Sequence, residues 1–218
     1  MSAILKTIQN NGKTLISLAI LSFVIVVAYI KIFSAGFISW DDPEYILHNA
    51  DINGISLNHI FNWFSKCYIG NYHPVTLLSY AIDHLMFGWQ PWGFHFINIL
   101  LHIFNAFLVY ILVSKLQPRY FVSLLTALIF ALHPVQTESV SWVAERKTLL
   151  CAFFYFLSLL KYIKYVKSPS PKYYFLVVLF SLLAMLSKAE GVALPFVFFA
   201  IDTWLKRTAD FKKLVIEK

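Results

Sequence analysis

Two neighbouring carboxylates stand out as groups able to do chemistry. Asp41 and Asp42 sit in the stretch Gly36-Phe37-Ile38-Ser39-Trp40-Asp41-Asp42-Pro43-Glu44-Tyr45-Ile46, just past a long apolar run. Like charges this close raise at least one pKa, which suits a group that must accept a proton. Trp40 and Tyr45 flank the pair, and their amphipathic rings suit a membrane–water boundary. A capping aspartate in a hydrated loop is the plainer use of such a pair. Two later polar segments supply partners: one brings Glu138, Glu145, Arg146 and Lys147, the other Lys188 and Glu190. Carboxylates beside cations suit a reaction in which a hydroxyl loses its proton and a phosphate leaves. The acid then acts as general base, and the cations stabilise charge growing on phosphate oxygens.

The elements that must position these groups are membrane helices. The chain is 59% hydrophobic and 13% charged, with a mean hydropathy of +0.68, whereas soluble chains run near 25% charged. Apolar runs at residues 14–33, 94–114, 120–133, 148–166, 173–186 and 192–205 predict about six spans. Lys6, Lys13, Lys115, Arg119, Lys161, Lys164, Lys167, Lys172, Lys206, Arg207, Lys212 and Lys213 fall on one side of that arrangement. Only Lys66, Arg146, Lys147 and Lys188 fall on the other, with Lys31 at the outer end of the first span. This asymmetry predicts a multi-pass protein with a cytoplasmic amino terminus, and it places all three acidic or mixed segments on the extracytoplasmic side.

Residues 34–92 form the first extracytoplasmic loop in this reading. Within it, 57–64 and 74–87 have apolar positions at helical spacing but are too short and polar to span, which predicts helices lying in the interface. On the second span, His95, Asn98, His102 and Asn105 fall on one stripe, which predicts interhelical hydrogen bonds, with His95 nearest the outer end. Asp202, near the inner end, reads as structural. Cys67 and Cys151 make no disulfide framework, no zinc-type spacing occurs, and no basic patch suited to nucleic acid is present.

Several of these stretches carry a resemblance. Trp40-Asp41-Asp42-x-x-Tyr45-Ile46, Asn71-Tyr72-His73-Pro74-Val75-Thr76, Trp92-Gly93-Phe94-His95, the run from Ala131 to Val140, Trp142-Val143-Ala144-Glu145-Arg146-Lys147 and Leu186-Ser187-Lys188 resemble the membrane O-mannosyltransferases that carry tetratricopeptide repeats. The run from Pro134 to Lys147 is the most specific, and the resemblance extends from about Phe37 to Trp204. It implies an all-α GT-C bundle, with residues 1–218 a single, incomplete membrane domain, because family members continue into further spans and a repeat array. It also implies transfer of mannose or a similar hexose from a polyprenyl-phosphate donor to a Ser or Thr hydroxyl of a protein acceptor. By that resemblance Asp41 is the first choice as base and Asp42 the next, and Glu138 positions the acceptor. Arg146, Lys147 and Lys188 hold the donor phosphate, with His73 and His95 as further substrate-side candidates. Some relatives use a divalent metal (Mg or Mn), for which Asp42 and Glu138 are the candidate ligands. A non-catalytic module that binds lipid-linked sugar or scaffolds an assembly is the competing expectation.

Overall fold

The computed structural model describes the backbone of residues 2–207 and the side chains of residues 12–207. The basic tail beyond, with Lys212 and Lys213, and the side chain of Lys6 lie outside the described residues. Helix α1 runs Ser2–Tyr29, α2 Leu57–Ser65, α3 Pro74–Phe87, α4 Pro91–Leu116 and α5 Tyr120–Leu132. Then follow α6 Gln136–Ser141, α7 Arg146–Lys167, α8 Pro171–Ser187 and α9 Leu194–Trp204. No β-strand forms among the described residues. Proline at the first helical turn starts α3, α4 and α8, where a missing N–H costs nothing. Gly88 ends α3 at φ +60°, a left-handed conformation that favours glycine. A Cβ at Gly93 would collide with the Phe87 ring, so glycine is what lets α4 start tight against the end of α3.

Three segments are long and apolar enough to cross a membrane: Gly12–Ser34, Pro91–Leu116 and Val143–Lys167. The remaining apolar helices are shorter: α5 has 13 residues, α8 has 17 and α9 has 11. At 1.5 Å per residue, α5 covers roughly 20 Å of a hydrocarbon layer about 30 Å thick. The six apolar runs therefore become three helices of spanning length and three shorter ones.

Three cores hold the bundle. Leu21, Ile25 and Tyr29 of α1 pack with Ile99, Ala106 and Val109 of α4 and with Ala127 and Ala131 of α5. Leu159, Tyr162 and Ile163 of α7 pack with Val177 and Ala184 of α8 and with Phe198 and Ile201 of α9. The third core belongs to the stretch between α1 and α4. Tyr45, Ile46, Ile52 and Trp63 pack with Leu77, Tyr80 and Ala81 of α3, with Phe94, and with Val143 and Ala144. Residues 34–92 are thus a folded cap. Asp51 ties it together: its carboxylate accepts from Asn62 Nδ2 at 2.7 Å and from the Tyr68 hydroxyl at 2.6 Å, and its carbonyl accepts from Trp63 Nε1 at 3.1 Å. Helix α2 leaves Leu57 and Phe61 exposed, whereas α3 packs on α4 and α8 and exposes Leu85 and Met86 on its free side.

The polar stripe of α4 is buried along its length. Asn98 Nδ2 donates to the Val140 carbonyl at 3.3 Å, His102 Nε2 to that of Ala131 at 2.9 Å, and Asn105 Nδ2 to that of Leu149 at 2.9 Å. Each bond reaches a different segment, as expected of polar groups that cross-link helices. At the other end of the bundle, the Tyr162 hydroxyl donates to Asp202 at 2.7 Å and Arg207 lies 3.6 Å from the same carboxylate, so Asp202 is structural.

Candidate active site

The amino-terminal end of α7 gathers charge because Val143–Glu145 make a tight 3₁₀ turn directly before it. From that turn Glu145 and Lys147 come together while Arg146 points elsewhere, so the two cations part company. Arg146 is fully buried. Its guanidinium pairs directly with Asp83 of α3, donates to Asn98 Oδ1 at 2.7 Å and to the Phe94 carbonyl at 2.8 Å, and stacks near the Tyr80 ring. Arg146 is therefore an internal counter-ion to Asp83 and lies outside the lining of the lysine cavity, whereas the resemblance gives it the donor phosphate.

Lys147 faces the other way. Its Nζ lies 2.9 Å from Glu145 Oε1 and 5.1 Å from the centre of the Tyr45 ring. Lys188, delivered by the turn after α8, reaches the other Glu145 oxygen at 3.4 Å, Thr148 Oγ1 at 2.9 Å and Glu190 at 3.1 Å. Thr148 in turn donates to Glu145 Oε2 at 2.7 Å. Burial opposes the charge on Lys188, yet its bonds to Glu190 and Glu145 outweigh that and push its pKa up. Both lysines are held on the one Glu145 carboxylate.

Beside them opens a cavity of about 230 Å³, lined by Asn71, Tyr72, His73, Lys147, Lys188 and Glu190. Two lysines and a histidine on one wall suit a phosphate ester, since charge-assisted hydrogen bonds are the strong ones. Glu190, the most exposed of the four charged groups, is the one that could turn aside for an incoming anion.

His73 is buried and edge-on to Tyr45, with ring centroids 4.9 Å apart. Burial, with Lys147 nearby, pulls its pKa from 6.5 down to about 4. A histidine depressed in the folded state stabilises fully above pH 6.5 and loses that contribution as pH falls toward 4. The loss amounts to about 3 kcal/mol at most. His73→Gln is expected to flatten the acid limb of a plot of unfolding midpoint against pH. An unchanged limb in that variant would contradict the assignment.

The two aspartates divide. Asp42 is fully buried: Oδ2 accepts from the Ile38 N–H and Oδ1 from the Ala144 N–H, both at 2.8 Å. Burial pushes its pKa up and these bonds offset part of the rise. Asp42 pins the start of the cap to the turn that carries Glu145. Asp41 is half-buried, and its charge, like that of Glu145, acts on Tyr45. Tyr45 is the shared neighbour of Asp41, Glu145, Lys147 and His73, and its hydroxyl accepts from Asn71 at 2.8 Å. Glu138 lies exposed on α6, outside the cavity lining, and His95 is buried against the backbone of Ala35 and Gly36. Of the candidate metal ligands, Asp42 directs each carboxylate oxygen to a backbone N–H, and Glu138 stands exposed on α6. Among the described residues no group of three or more His, Cys, Asp or Glu side chains gathers.

Sequence reasoning gave no role to Thr148 or Asp83, took Tyr45 only as an interfacial ring, and left Glu145 as one acid of its segment without a role of its own. The signals were present: Glu145 and Thr148 are three apart at a helix start, and a lone Asp in an apolar helix demands a buried partner.

An all-α protein with helices of membrane-spanning length and a charged cavity at one end of the bundle is the class these features define. No family model matches the chain and no solved structure matches it. Among curated proteins it is 32% identical over 206 residues to protein O-mannosyl-transferase TMTC4 of Mus musculus, which covers 79% of this chain. It is 33% identical over 201 residues to TMTC4 of Homo sapiens, covering 78% of this chain, and 29% identical over 190 residues to Tmtc1 of Drosophila melanogaster, covering 84%. The chain belongs to this TMTC family. It spans 27% of the length of the two TMTC4 proteins and 22% of Tmtc1.

Proposed function

We propose that this chain forms the donor-phosphate end of a GT-C membrane glycosyltransferase, which moves mannose or a similar hexose from a polyprenyl-phosphate carrier to a protein Ser or Thr hydroxyl on the extracytoplasmic side. One observation carries the proposal: Lys147 and Lys188, from separate elements, converge on Glu145 at the wall of one cavity. The lysine-rich far ends of the helices support the orientation, since cationic segments favour the cytoplasmic side. The names of the relatives support the sugar and the acceptor.

In this reading the acceptor oxygen attacks the anomeric carbon while Asp41 takes the hydroxyl proton. The bond from that carbon to the phosphate oxygen breaks, and the electron pair stays on the phosphate, where Lys147 and Lys188 meet it. Displacement of this kind inverts the anomeric centre. Asp42 acts through structure, holding the cap on the Glu145 turn.

Lys188→Gln separates the proposal from chance. Removing one charge-assisted bond to phosphate is expected to weaken donor binding about tenfold, read from displacement of a labelled polyprenyl-phosphate sugar. Unchanged affinity would remove the lysine pair from the site.

A further inference from the structure

At the opposite end of α7 the molecule builds a second charged recess. α7 rises about 1.5 Å per residue, so the region of Lys164 and Lys167 lies roughly 25–30 Å from Lys147. There the carboxyl-terminal ends of α4 and α7 diverge around a crevice of about 510 Å³. Lys115, Lys161, Lys164 and Lys167 line it, and none of the described residues lining it is acidic. Ile111, Leu160 and Ile163 line it as well, interleaved with those lysines, and supply its apolar surface. Four like charges around one recess repel one another unless something neutralises them. The helix carboxyl ends offset a part of that repulsion, and the Tyr173 ring faces Lys164 at 4.7 Å. Neither supplies a full negative charge.

The recess combines four cations with an apolar surface at the end of two membrane-length helices. A free anion would satisfy the cations and leave the apolar surface without purpose. An amphiphile satisfies both, because its headgroup can sit among the lysines while its chain runs down the helices. We propose that this crevice binds an anionic phospholipid, its phosphate held by Lys115, Lys161, Lys164 and Lys167 and an acyl chain laid against Ile111, Leu160 and Ile163. The site is separate from the donor cavity and independent of the reading given for it.

The test uses the whole chain purified in a neutral detergent, with bound lipid counted by native mass spectrometry. Phosphatidylglycerol is expected to be retained at least tenfold better than phosphatidylcholine. A lysine near a membrane surface contributes about fivefold, so Lys161→Gln combined with Lys164→Gln should cut phosphatidylglycerol retention about 25-fold. Lys161→Arg with Lys164→Arg should keep it, which shows that the lost binding reflects charge and not fold. Lys31→Gln with Lys66→Gln, at exposed positions elsewhere, should also leave it intact. Equal retention of the two lipids, an equal loss in the Lys31 and Lys66 pair, or displacement of phosphatidylglycerol by inorganic phosphate would each overturn the proposal; the last would mark a site for free anions. The wild-type comparison of the two lipids stands even if a variant fails to fold.

Discussion

Arg146→Met is expected to cost about 3–5 kcal/mol of stability, because it strands the buried Asp83 carboxylate without its counter-ion. The same change takes a donor from Asn98 Oδ1 and from the Phe94 carbonyl. For a chain of this size each kcal/mol shifts the unfolding midpoint by about 2–4 °C, so a fall of about 10 °C is anticipated. Asp83→Leu added to Arg146→Met should recover much of the loss, since two apolar groups in place of a buried pair are close to neutral. Thermal unfolding of the four proteins of this cycle in detergent provides the check. A midpoint that hardly moves in Arg146→Met would return the guanidinium to the list of groups available to substrate.

Asp41→Asn is expected to lower transfer about 10²–10⁴-fold while leaving the unfolding midpoint close to that of the parent protein. The side chain is half-buried and sits beside Tyr45, so the isosteric amide fits the same space without a proton-accepting charge. Asp42→Asn should show the reverse emphasis. An amide presents one oxygen where the carboxylate presents two, so either the Ile38 or the Ala144 N–H loses its acceptor and the cap loosens from the turn before α7. Initial rates measured on a short acceptor peptide, beside melting curves on the same preparations, tell the two effects apart.

These contrasts show which parts of the molecule could be read from the chain. Local periodicity was enough for the stripe on α4: residues three and four apart on a membrane-length helix must share a face, and Asn98, His102 and Asn105 do reach across to neighbouring segments. Asp202, near the inner end and far from the acidic segments, was equally legible as structural. Matching short runs such as Pro134 to Lys147 was enough to reach the family. Hydropathy gave the short run 120–133 its short helix of 13 residues, yet it did not show that α4 would extend the run 94–114 to 26 residues by starting at Pro91. Nor does it say which way consecutive residues face. Arg146 and Lys147 are separated by about 100° around a helix axis, and that rotation alone sends one to Asp83 and the other to the cavity. The asymmetry of Asp41 and Asp42 depends on Ala144, a partner 102 positions away, which no local pattern anticipates.

The division of labour between Asp41 and the two lysines is tested most directly by measuring donor binding and sugar transfer separately on one set of variants. With a labelled polyprenyl-phosphate sugar, Asp41→Asn should bind the donor as the parent protein does and transfer almost none of it, whereas Lys147→Gln combined with Lys188→Gln should fail at binding. Transfer at the parental rate by Asp41→Asn, or undiminished binding by the lysine pair, would contradict the assignment of base and phosphate site.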